Sequence, residues 1–547
     1  MMHHTKTRIA FTFFIFVIMY GIIALNLYCI QIRKHHFFVD LGERQYMTMV
    51  TTYPPRASIL DRHGHFLAIN KESIAAFITP NNMAEPARVE QFLARHFPQA
   101  HERLERNRCA PFMYVARHLS ERDQQRIAHA NIPDLQLLKE QRRFYPVNTT
   151  GTIVGITNID NHGLFGLELM FEEQLAGEPT IQRLHKDARS GYFSFAQETT
   201  AQGHAGTPLI TTIDGDLQFM VYEALRDTVE TFQAKEGAAV VMNPKTGEIL
   251  AMVTLPAFDP NDTKEIIMEH TKNKVVTEAY ELGSVIKVFA ALAALEERVV
   301  HPDELIDCEN VATTYVDGRR INTVKDSVLG VVPFTHVIEK SNNIGIAKVV
   351  KRLDTKLYDH YIRMGFGAKT GIQFPSEREG FVNHPRQWSK QSIISLSYGY
   401  EITATLLQLA QAFSMIANDG YLIRPTLLLN ELHTPESQRR YSAESITIIK
   451  QIMEGAVLRG TAKRAQIKGY RVMSKTGTAN LLVNGIYNPD KNSYTCGGIV
   501  ERDDYQRVIV VYVRESSRKG LYASGVAAPL FEQVAEKTLI HEKKGSL

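Results

Sequence analysis

Residues 281–296 read ELGSVIKVFAALAALE, and they contain the most informative pattern in the chain. From Val288 to Leu295 no position carries a polar side chain, which is typical of a helix that is buried on every face. Lys287 is then out of place, because charged groups are seldom buried without a partner or a purpose. Ser284 stands one helical turn before Lys287, so we expect the two side chains to share a face within hydrogen-bonding range.

Ser284 and Lys287 are the residue types expected of a nucleophile and its base. A serine hydroxyl is a poor nucleophile, whereas a lysine that is desolvated or close to another cation is neutral enough to take its proton. The first N–H groups of the helix lie beside the serine, where an oxyanion would develop. The plainer interpretation makes Ser284 a helix N-cap, but Lys287 stands where a capping box has Glu or Gln. A second Ser-x-x-Lys, from Ser516 to Lys519, lies in a polar run, and we interpret it as chance.

A Ser-x-Asn triplet, Ser341-Asn342-Asn343, opens another predicted helix. Seen alone, it is a good N-cap. As part of an active site, Ser341 would relay a proton and Asn343 would bind a substrate amide.

Lys-Thr-Gly occurs three times in the chain, at residues 245–247, 369–371 and 475–477. The first two copies follow turn signals, and we interpret them as loops. Only Lys475-Thr476-Gly477-Thr478 continues a β-like run, and it adds a second hydroxyl after the glycine. A strand edge with Gly lets a substrate backbone approach closely, while the lysine and two threonine hydroxyls hold a carboxylate.

The order of the predicted elements indicates an α+β fold. Apolar strands flank a Pro/Gly turn between residues 238 and 253, a largely helical stretch follows from about 280 to 465, and two more strands, at 494–500 and 507–513, precede a helix at about 529–537. Strands at both ends of a domain predict an antiparallel sheet flanked by helices, in which the N- and C-terminal strands pair. The region 51–205 reads as an irregular α+β unit that has no catalytic constellation of its own.

The N-terminus carries one uncharged run, from Ile9 to Ile32. As a helix these residues would extend for about 36 Å, which is enough to cross a bilayer with some tilt. We interpret the run as an uncleaved signal anchor, because it ends in Gln31, Arg33 and Lys34 and not in the small residues of a cleavage site. A cleaved leader or a buried core helix are the alternatives. Basic residues on both sides of the run leave its orientation in the membrane open. The short N-terminal segment nevertheless favours an orientation in which it stays inside the cell.

The charge balance and the cysteine count argue against two classes of protein, nucleic-acid-binding proteins and disulfide-rich proteins. The 547 residues carry 62 basic and 59 acidic side chains, a net charge of +3, which gives no global electrostatic case for binding nucleic acid. Four cysteines, with Cys29 in the predicted span, allow at most one intramolecular disulfide outside it.

Ser-x-x-K, Ser-x-Asn and Lys-Thr-Gly, in that order, resemble the signature of penicillin-recognising serine acyltransferases, which include penicillin-binding proteins and serine β-lactamases. The chain resembles class B penicillin-binding proteins, and among these it resembles the division-specific subgroup best. Further similar segments lie in the expected pedestal, at 55–68, 143–146 and 163–168, and in the catalytic half, at 242–252, 397–403, 406–410, 417–420 and 527–531. Ala57, after Arg56, and Leu282 depart from the usual residues of these motifs.

The resemblance implies a D,D-transpeptidase that cross-links septal peptidoglycan without a cofactor or a metal. Ser284 would attack the bond between the two D-alanines of a pentapeptide stem, with Lys287 as base, and β-lactams would acylate the same serine. Ser341 and Lys475 would pass the proton to the leaving D-alanine, and Asn343 would orient the stem amide. The terminal carboxylate would bind at Lys475, Thr476, Gly477 and Thr478, with an oxyanion hole formed by the N–H groups of Ser284 and Thr478.

The resemblance also implies an organisation and partners. We expect a cytoplasmic tail at 1–8, a transmembrane anchor at 9–32, a linker at 33–50, a dimerisation-type pedestal at 51–205 and a transpeptidase domain at 206–547 on the periplasmic side of the inner membrane. The expected partners are a polytopic SEDS-type glycosyltransferase and other divisome proteins. An elongation-type or resistance-type transpeptidase, or a penicillin-sensing scaffold, remains the alternative. The loop at 481–492 is not interpretable from sequence.

Overall fold

A computed structural model of the chain describes residues 2–186, 193–262, 266–430 and 435–544. The chain forms two compact units: residues 1–55 with 176–206, and residues 56–175 with 207–547. The ends of the predicted tail and of the predicted transpeptidase domain, residues 1 and 545–547, lie outside the described residues.

The helices, in chain order, are α1 Met2–Tyr28, α2 His35–Tyr46, α3 Pro86–His96, α4 Pro98–Arg106, α5 Glu121–Ala130, α6 Gly151–Val154, α7 Gly166–Met170, α8 Glu172–Ala176, α9 Gly215–Thr231, α10 Lys274–Thr277, α11 Lys287–Glu296, α12 Phe334–Glu339, α13 Asn343–Val350, α14 Lys356–Arg363, α15 Ser392–Ser397, α16 Leu406–Ala417, α17 Ala443–Leu458 and α18 Ala523–Lys544.

The strands are β1 Met47–Thr52, β2 Ile59–Leu60, β3 Phe66–Ile78, β4 Met113–Ala116, β5 Gln136–Phe144, β6 Thr180–Lys186, β7 Phe193–Ala201, β8 Leu209–Ile210, β9 Ala234–Met242, β10 Ile249–Leu255, β11 Leu305–Asp307, β12 Thr313–Val316, β13 Arg319–Asn322, β14 Val331–Pro333, β15 Phe381–Val382, β16 Ile402–Thr403, β17 Arg471–Val483, β18 Ile486–Arg502 and β19 Tyr505–Ser516.

The first unit contains the apolar N-terminal helix. Residues 6–33 are long and apolar enough to cross a membrane, and their side chains are exposed, as expected for a surface that meets lipid. The chain continues through α2 into β1, which pairs antiparallel with β6, and β6 pairs with β7. Residues 33–50, where we expect a linker, thus contain α2 and most of β1.

The second unit is built around a five-stranded antiparallel sheet in the order β10-β9-β19-β18-β17. The predicted α+β fold is confirmed, and the predicted pairing of N- and C-terminal strands is the contact of β9 with β19. Successive side chains of β9, such as Val240 and Val241, face opposite sides of the sheet and join two different apolar cores. One core contains α11 and α16, and the other contains α9 and α18.

The closing helix α18 begins earlier and ends later than predicted. Its first turns pack Val526, Leu530 and Phe531 against the sheet, so burial extends the helix through Pro529. Helix α11, in contrast, agrees with its apolar pattern, since Val288 to Ala294 are fully buried.

Strands β2 to β5 and β8 form a smaller sheet in the same unit. Three of the segments noted above for the pedestal meet there in one buried ion cluster. The fully buried carboxylate of Glu168 accepts from Arg56 Nε at 2.6 Å and from Arg143 Nε at 2.7 Å. Arg56 also pairs with Glu172 at 2.8 Å. The segments at 55–68, 143–146 and 163–168 therefore stabilise one another through a shared carboxylate.

We expect Glu168→Gln to lower the free energy of unfolding by about 3–5 kcal/mol, because it leaves two buried guanidinium groups with too little negative charge. Urea unfolding of the purified chain in detergent measures the loss. Glu173→Gln, on the exposed face of the neighbouring helix, is the control and should change stability by less than about 0.5 kcal/mol. Equal stability of the two variants would show that the buried cluster contributes little.

Candidate active site

Ser284 lies in a 3₁₀ turn, Gly283–Ile286, that leads directly into α11. Val285 and Ile286 are buried, whereas Ser284 is only partly buried and so reachable from solvent. Gly283 has a φ of +57°, and a Cβ there would lie 2.6 Å from the carbonyl oxygen of Thr478. The turn is therefore held directly against the edge strand β17, and only glycine fits at its start.

Gly477 makes the reciprocal close approach from β17. A Cβ on Gly477 would lie 2.3 Å from the carbonyl oxygen of Leu282. Because β17 is the last strand of the sheet, its outer edge is free to face this turn. The predicted proximity of Lys-Thr-Gly to Ser284 is thus a feature of the fold.

Lys287 is fully buried, and its amine contacts the Ser-x-Asn segment. Its Nζ donates to the Ser341 carbonyl oxygen at 2.6 Å, lies 3.3 Å from Ser341 Oγ and donates to Asn343 Oδ1. The expected hydrogen bond with Ser284 is absent: within the described part of the chain, the Ser284 hydroxyl has no hydrogen-bond partner. The lysine amine is oriented by backbone and amide oxygens instead.

Lys475 reaches the Ser341 hydroxyl from the sheet. Its buried Nζ donates to Ser341 Oγ at 2.9 Å and to the Thr476 carbonyl oxygen at 2.9 Å. Ser341 has a φ of 60°, a left-handed conformation that is uncommon for a residue other than glycine. Its hydroxyl therefore lies between two lysine amines.

Burial governs the protonation of both amines. Desolvation lowers the pKa of Lys475 to about 7, and desolvation together with the charge of Lys475 lowers the pKa of Lys287 well below its ordinary value. Among the described residues, neither amine forms an ion pair with a carboxylate that would oppose these shifts. A neutral amine beside a serine is what general-base catalysis requires near pH 7.

Asn342 and Asn343 have separate tasks. Asn342, which is fully buried, caps α13 by accepting from Gly345 N at 2.7 Å, and its Nδ2 donates to Ser327 O. Asn343 Nδ2 donates to the carbonyl oxygen of Asn322 at 2.6 Å, which directs Oδ1 toward Lys287. The N-cap interpretation of this triplet thus applies to its middle residue, which leaves Asn343 for the site.

Thr476 and Thr478 lie on one face of β17, because side chains alternate along a strand. Thr476 Oγ1 donates to Thr461 Oγ1 at 3.0 Å, and Thr478 Oγ1 accepts from Ala523 N at 2.9 Å. The proton of the Thr478 hydroxyl thus remains available to a ligand. Sequence patterns gave no signal for Thr461 or Ala523, which approach only through tertiary packing.

The other copies of these motifs lie elsewhere. Lys245, in the β9–β10 turn, donates to the carbonyl oxygen of Asp504, and the Thr370 hydroxyl, in a loop, donates to Glu377. Ser516 donates to the Phe232 carbonyl oxygen at the end of β19. The two Lys-Thr-Gly copies thus lie in a turn and a loop, and the Ser516 copy, which we interpret as chance, makes a backbone contact away from the site.

Residues 481–492, which we expected to be a loop, are mostly paired strand and form the end of the β17–β18 hairpin, with a turn at 484–485. Tyr487 donates to Glu281 Oε1 at 2.8 Å, and its ring packs against Tyr400 at 4.9 Å between centroids. Burial raises the pKa of Glu281, which lies three residues before Ser284. Gly399 packs behind the same turn, since a Cβ there would lie 2.2 Å from the Gly283 carbonyl oxygen. Gly399 and Tyr400 belong to the segment 397–403 noted above for its resemblance, whereas no sequence pattern pointed to Tyr487.

A serine at the start of a buried helix, two buried amines on a second serine and a Lys-Thr-Gly edge strand define the class of penicillin-recognising serine enzymes. The family model for the penicillin-binding protein transpeptidase domain matches residues 237–536, and the model for the penicillin-binding protein dimerisation domain matches residues 51–211. The chain therefore belongs to the penicillin-binding proteins, as a class B member. It is a transpeptidase homologue with an N-terminal apolar helix.

Named relatives agree with this family. The chain is 30% identical over 523 residues to the probable peptidoglycan D,D-transpeptidase PbpC of Pseudomonas aeruginosa, covering 93% of this chain and 91% of the relative. It is 28% identical to the peptidoglycan D,D-transpeptidase FtsI of Escherichia coli, covering 92% and 86%. The crystal structure of penicillin binding protein 3 from Mycobacterium tuberculosis, complexed with aztreonam, has a TM-score of 0.67 at 25% identity, with 90% and 97% covered.

The depressed pKa of Lys475 predicts how stability depends on pH. Between pH 7 and the unfolded value of 10.5, the unfolded chain binds a proton that the folded chain has lost, so stability rises with pH in this window by roughly 1 kcal/mol per unit. We expect Lys475→Met to reduce this rise, as measured by urea unfolding at pH 7, 8 and 9. Lys245→Met, at the exposed copy of the motif, should leave the slope unchanged. An unchanged slope in Lys475→Met would contradict a neutral Lys475.

Proposed function

We propose that this protein is a membrane-anchored D,D-transpeptidase that cross-links peptidoglycan stem peptides through an acyl-enzyme on Ser284. The observation that carries the proposal is the position of the Ser341 hydroxyl, 2.9 Å from Lys475 Nζ and 3.3 Å from Lys287 Nζ, with both amines buried. We infer that these groups serve to move a proton beside Ser284, which is reachable from solvent.

Acylation begins at Ser284. Its oxygen attacks the carbonyl between the two terminal D-alanines, and the neutral amine of Lys287 accepts its proton. The backbone N–H groups of Ser284 and Thr478 stabilise the oxyanion, since Gly283 brings the turn directly against Thr478.

Departure of the D-alanine requires a proton on its nitrogen. Ser341 supplies this proton from its own hydroxyl and regains one from the lysine amines on either side of it. The C–N bond then breaks, D-alanine leaves, and Ser284 carries the stem as an ester. The amine of a neighbouring stem attacks this ester, forms the new amide and returns the proton to Ser284.

Substrate binding falls to the edge strand and to Asn343. Lys475, Thr476 and Thr478 bind the terminal carboxylate, Gly477 allows the close approach, and the second N–H of Asn343 orients the stem amide. β-Lactams present the same carboxylate and an acylating carbonyl, so they form a stable ester with Ser284. This chemistry is assigned to side chains and backbone N–H groups of the site. Within the described ranges, the only cluster of three metal-ligand side chains shares no residue with them.

Ser284→Ala and Lys287→Ala should each abolish covalent labelling by fluorescent penicillin in membranes, the first by removing the nucleophile and the second by removing its base. Ser516→Ala and Lys519→Ala, at the second copy of the motif, are the matched controls and should label normally. Labelling of Ser284→Ala, or none in the natural protein, would refute the assignment, and normal acylation of Lys287→Ala would remove that residue from the role of base.

We further propose the organisation and the place of action. The expected division into a tail at 1–8, an anchor at 9–32, a linker at 33–50, a pedestal at 51–205 and a transpeptidase domain at 206–547 is retained, with the last two on the periplasmic side of the inner membrane. The resemblance of 397–403 and 527–531 to the division-specific subgroup supports a septal role. Glycan polymerisation would then come from a SEDS-type glycosyltransferase in the division complex.

Depletion of the protein in its host separates the septal role from elongation. A septal enzyme should give unseparated filaments, because side-wall growth continues without division. Round cells would indicate an elongation enzyme, and depletion complemented by Ser284→Ala tests whether the phenotype depends on catalysis or on a scaffold.

A further inference from the structure

We propose that His63, Asp214 and His541 bind a divalent transition-metal ion, of which Zn²⁺ is the best match, at a structural site separate from catalysis. The two His Nε2 atoms converge on the same carboxylate oxygen: His63 lies 3.1 Å and His541 lies 2.8 Å from Asp214 Oδ2. One ligand atom from each of the three residues lies within 4.8 Å of the others. Two imidazole nitrogens and one carboxylate oxygen are a common protein ligand set for zinc.

The backbone brings the three ligands together from distant segments. His63 lies in the turn between β2 and β3, Asp214 caps α9, and His541 belongs to α18. Asp214 is 151 positions from His63 and 327 from His541. Such convergence is not a product of local helix or turn geometry.

The surrounding hydrogen bonds orient this set. Asp214 Oδ1 accepts from Leu217 N at 3.0 Å, which leaves Oδ2 to face the two histidines. Asp61, also buried, accepts from the backbone N–H groups of His63 and His65, both at 2.8 Å, and so fixes the turn that presents His63. Metal-binding histidines and carboxylates in proteins are commonly fixed by such contacts.

Two buried carboxylates lie at this cluster. Asp61 and Asp214 are buried to 1% and 5% exposure, and among the described residues the ion-pair partners of both are histidines only. Arg62, in the same turn, pairs instead with Glu248 at 3.5 Å. Two buried carboxylates that have only histidines as ion-pair partners form a site that favours a cation. A divalent cation would balance both.

The cluster also offers access and an open position. The His63 side chain is 53% exposed and that of His541 18% exposed, so an ion can enter from solvent and keep water as a further ligand. A bound ion would connect the β2–β3 turn to the C-terminal helix and would stabilise the folded chain by mass action. The role that we assign to the ion is to stabilise this contact between distant segments of the chain.

The test is zinc retention by the full-length protein in detergent. After chelator treatment and addition of one equivalent of ZnCl₂, gel filtration followed by elemental analysis should find one zinc per chain in the natural protein. His63→Ala and His541→Ala should retain almost none. His65→Ala is the matched control, because His65 lies in the same turn but contacts Asp61, and it should retain zinc.

Two further measurements make the result decisive. Zinc should raise the Tm of the natural protein and of His65→Ala but not of the other two variants, and Co²⁺ should give the visible spectrum of a four- or five-coordinate site. Fluorescent-penicillin labelling reports whether each variant is folded, and a variant that does not label is replaced by His541→Gln or His63→Gln. No zinc in the natural protein, zinc in His541→Ala, or a Tm that responds to acid and not to zinc would overturn the proposal.

Discussion

The site depends on one constraint, the burial of two lysine amines against a single serine hydroxyl. Lys287 and Lys475 are both fully buried, and Ser341 Oγ lies within 3.3 Å of each amine. Two ammonium groups at this spacing, with no carboxylate among the described residues to pair with them, would be strongly unfavourable in a low-dielectric interior. The fold therefore keeps at least one of them neutral, and it is this neutrality that makes a base available at pH 7.

The rest of the second unit serves to hold these groups at the right separation. Lys287 is fixed by a helix that is apolar on all sides, and Lys475 by an edge strand in a five-stranded sheet. Gly283 and Gly477 let the turn before the helix and the strand approach until their backbones are in contact. A side chain at either glycine would separate Ser284 from Thr478, so the same two positions determine both the packing and the site.

The sequence predicted the fold class, the three motifs and their convergence, because each motif carries its own local signal. It did not predict the contacts that depend on register or on distant segments. Tyr487 reaches Glu281 only through a β17–β18 register that shifts between Asn480 and Leu481. Thr461, likewise, is a plain loop residue in sequence, and it becomes relevant because it lies beside Thr476. Such positions are set by tertiary packing and leave no periodic pattern.

The one contact that the sequence led us to expect and the structure lacks, between Ser284 and Lys287, is informative about the base. A neutral amine has two N–H donors and one lone pair. The short contacts of Lys287 Nζ are with the Ser341 carbonyl oxygen and with Asn343 Oδ1, which only accept, so they use both donors. Asn322 fixes the orientation of the Asn343 amide and so prevents it from offering a proton instead. The lone pair is then the only part of the amine left for a hydroxyl. Asn343 thereby holds Lys287 as an acceptor of protons, in addition to any contact that it makes with substrate.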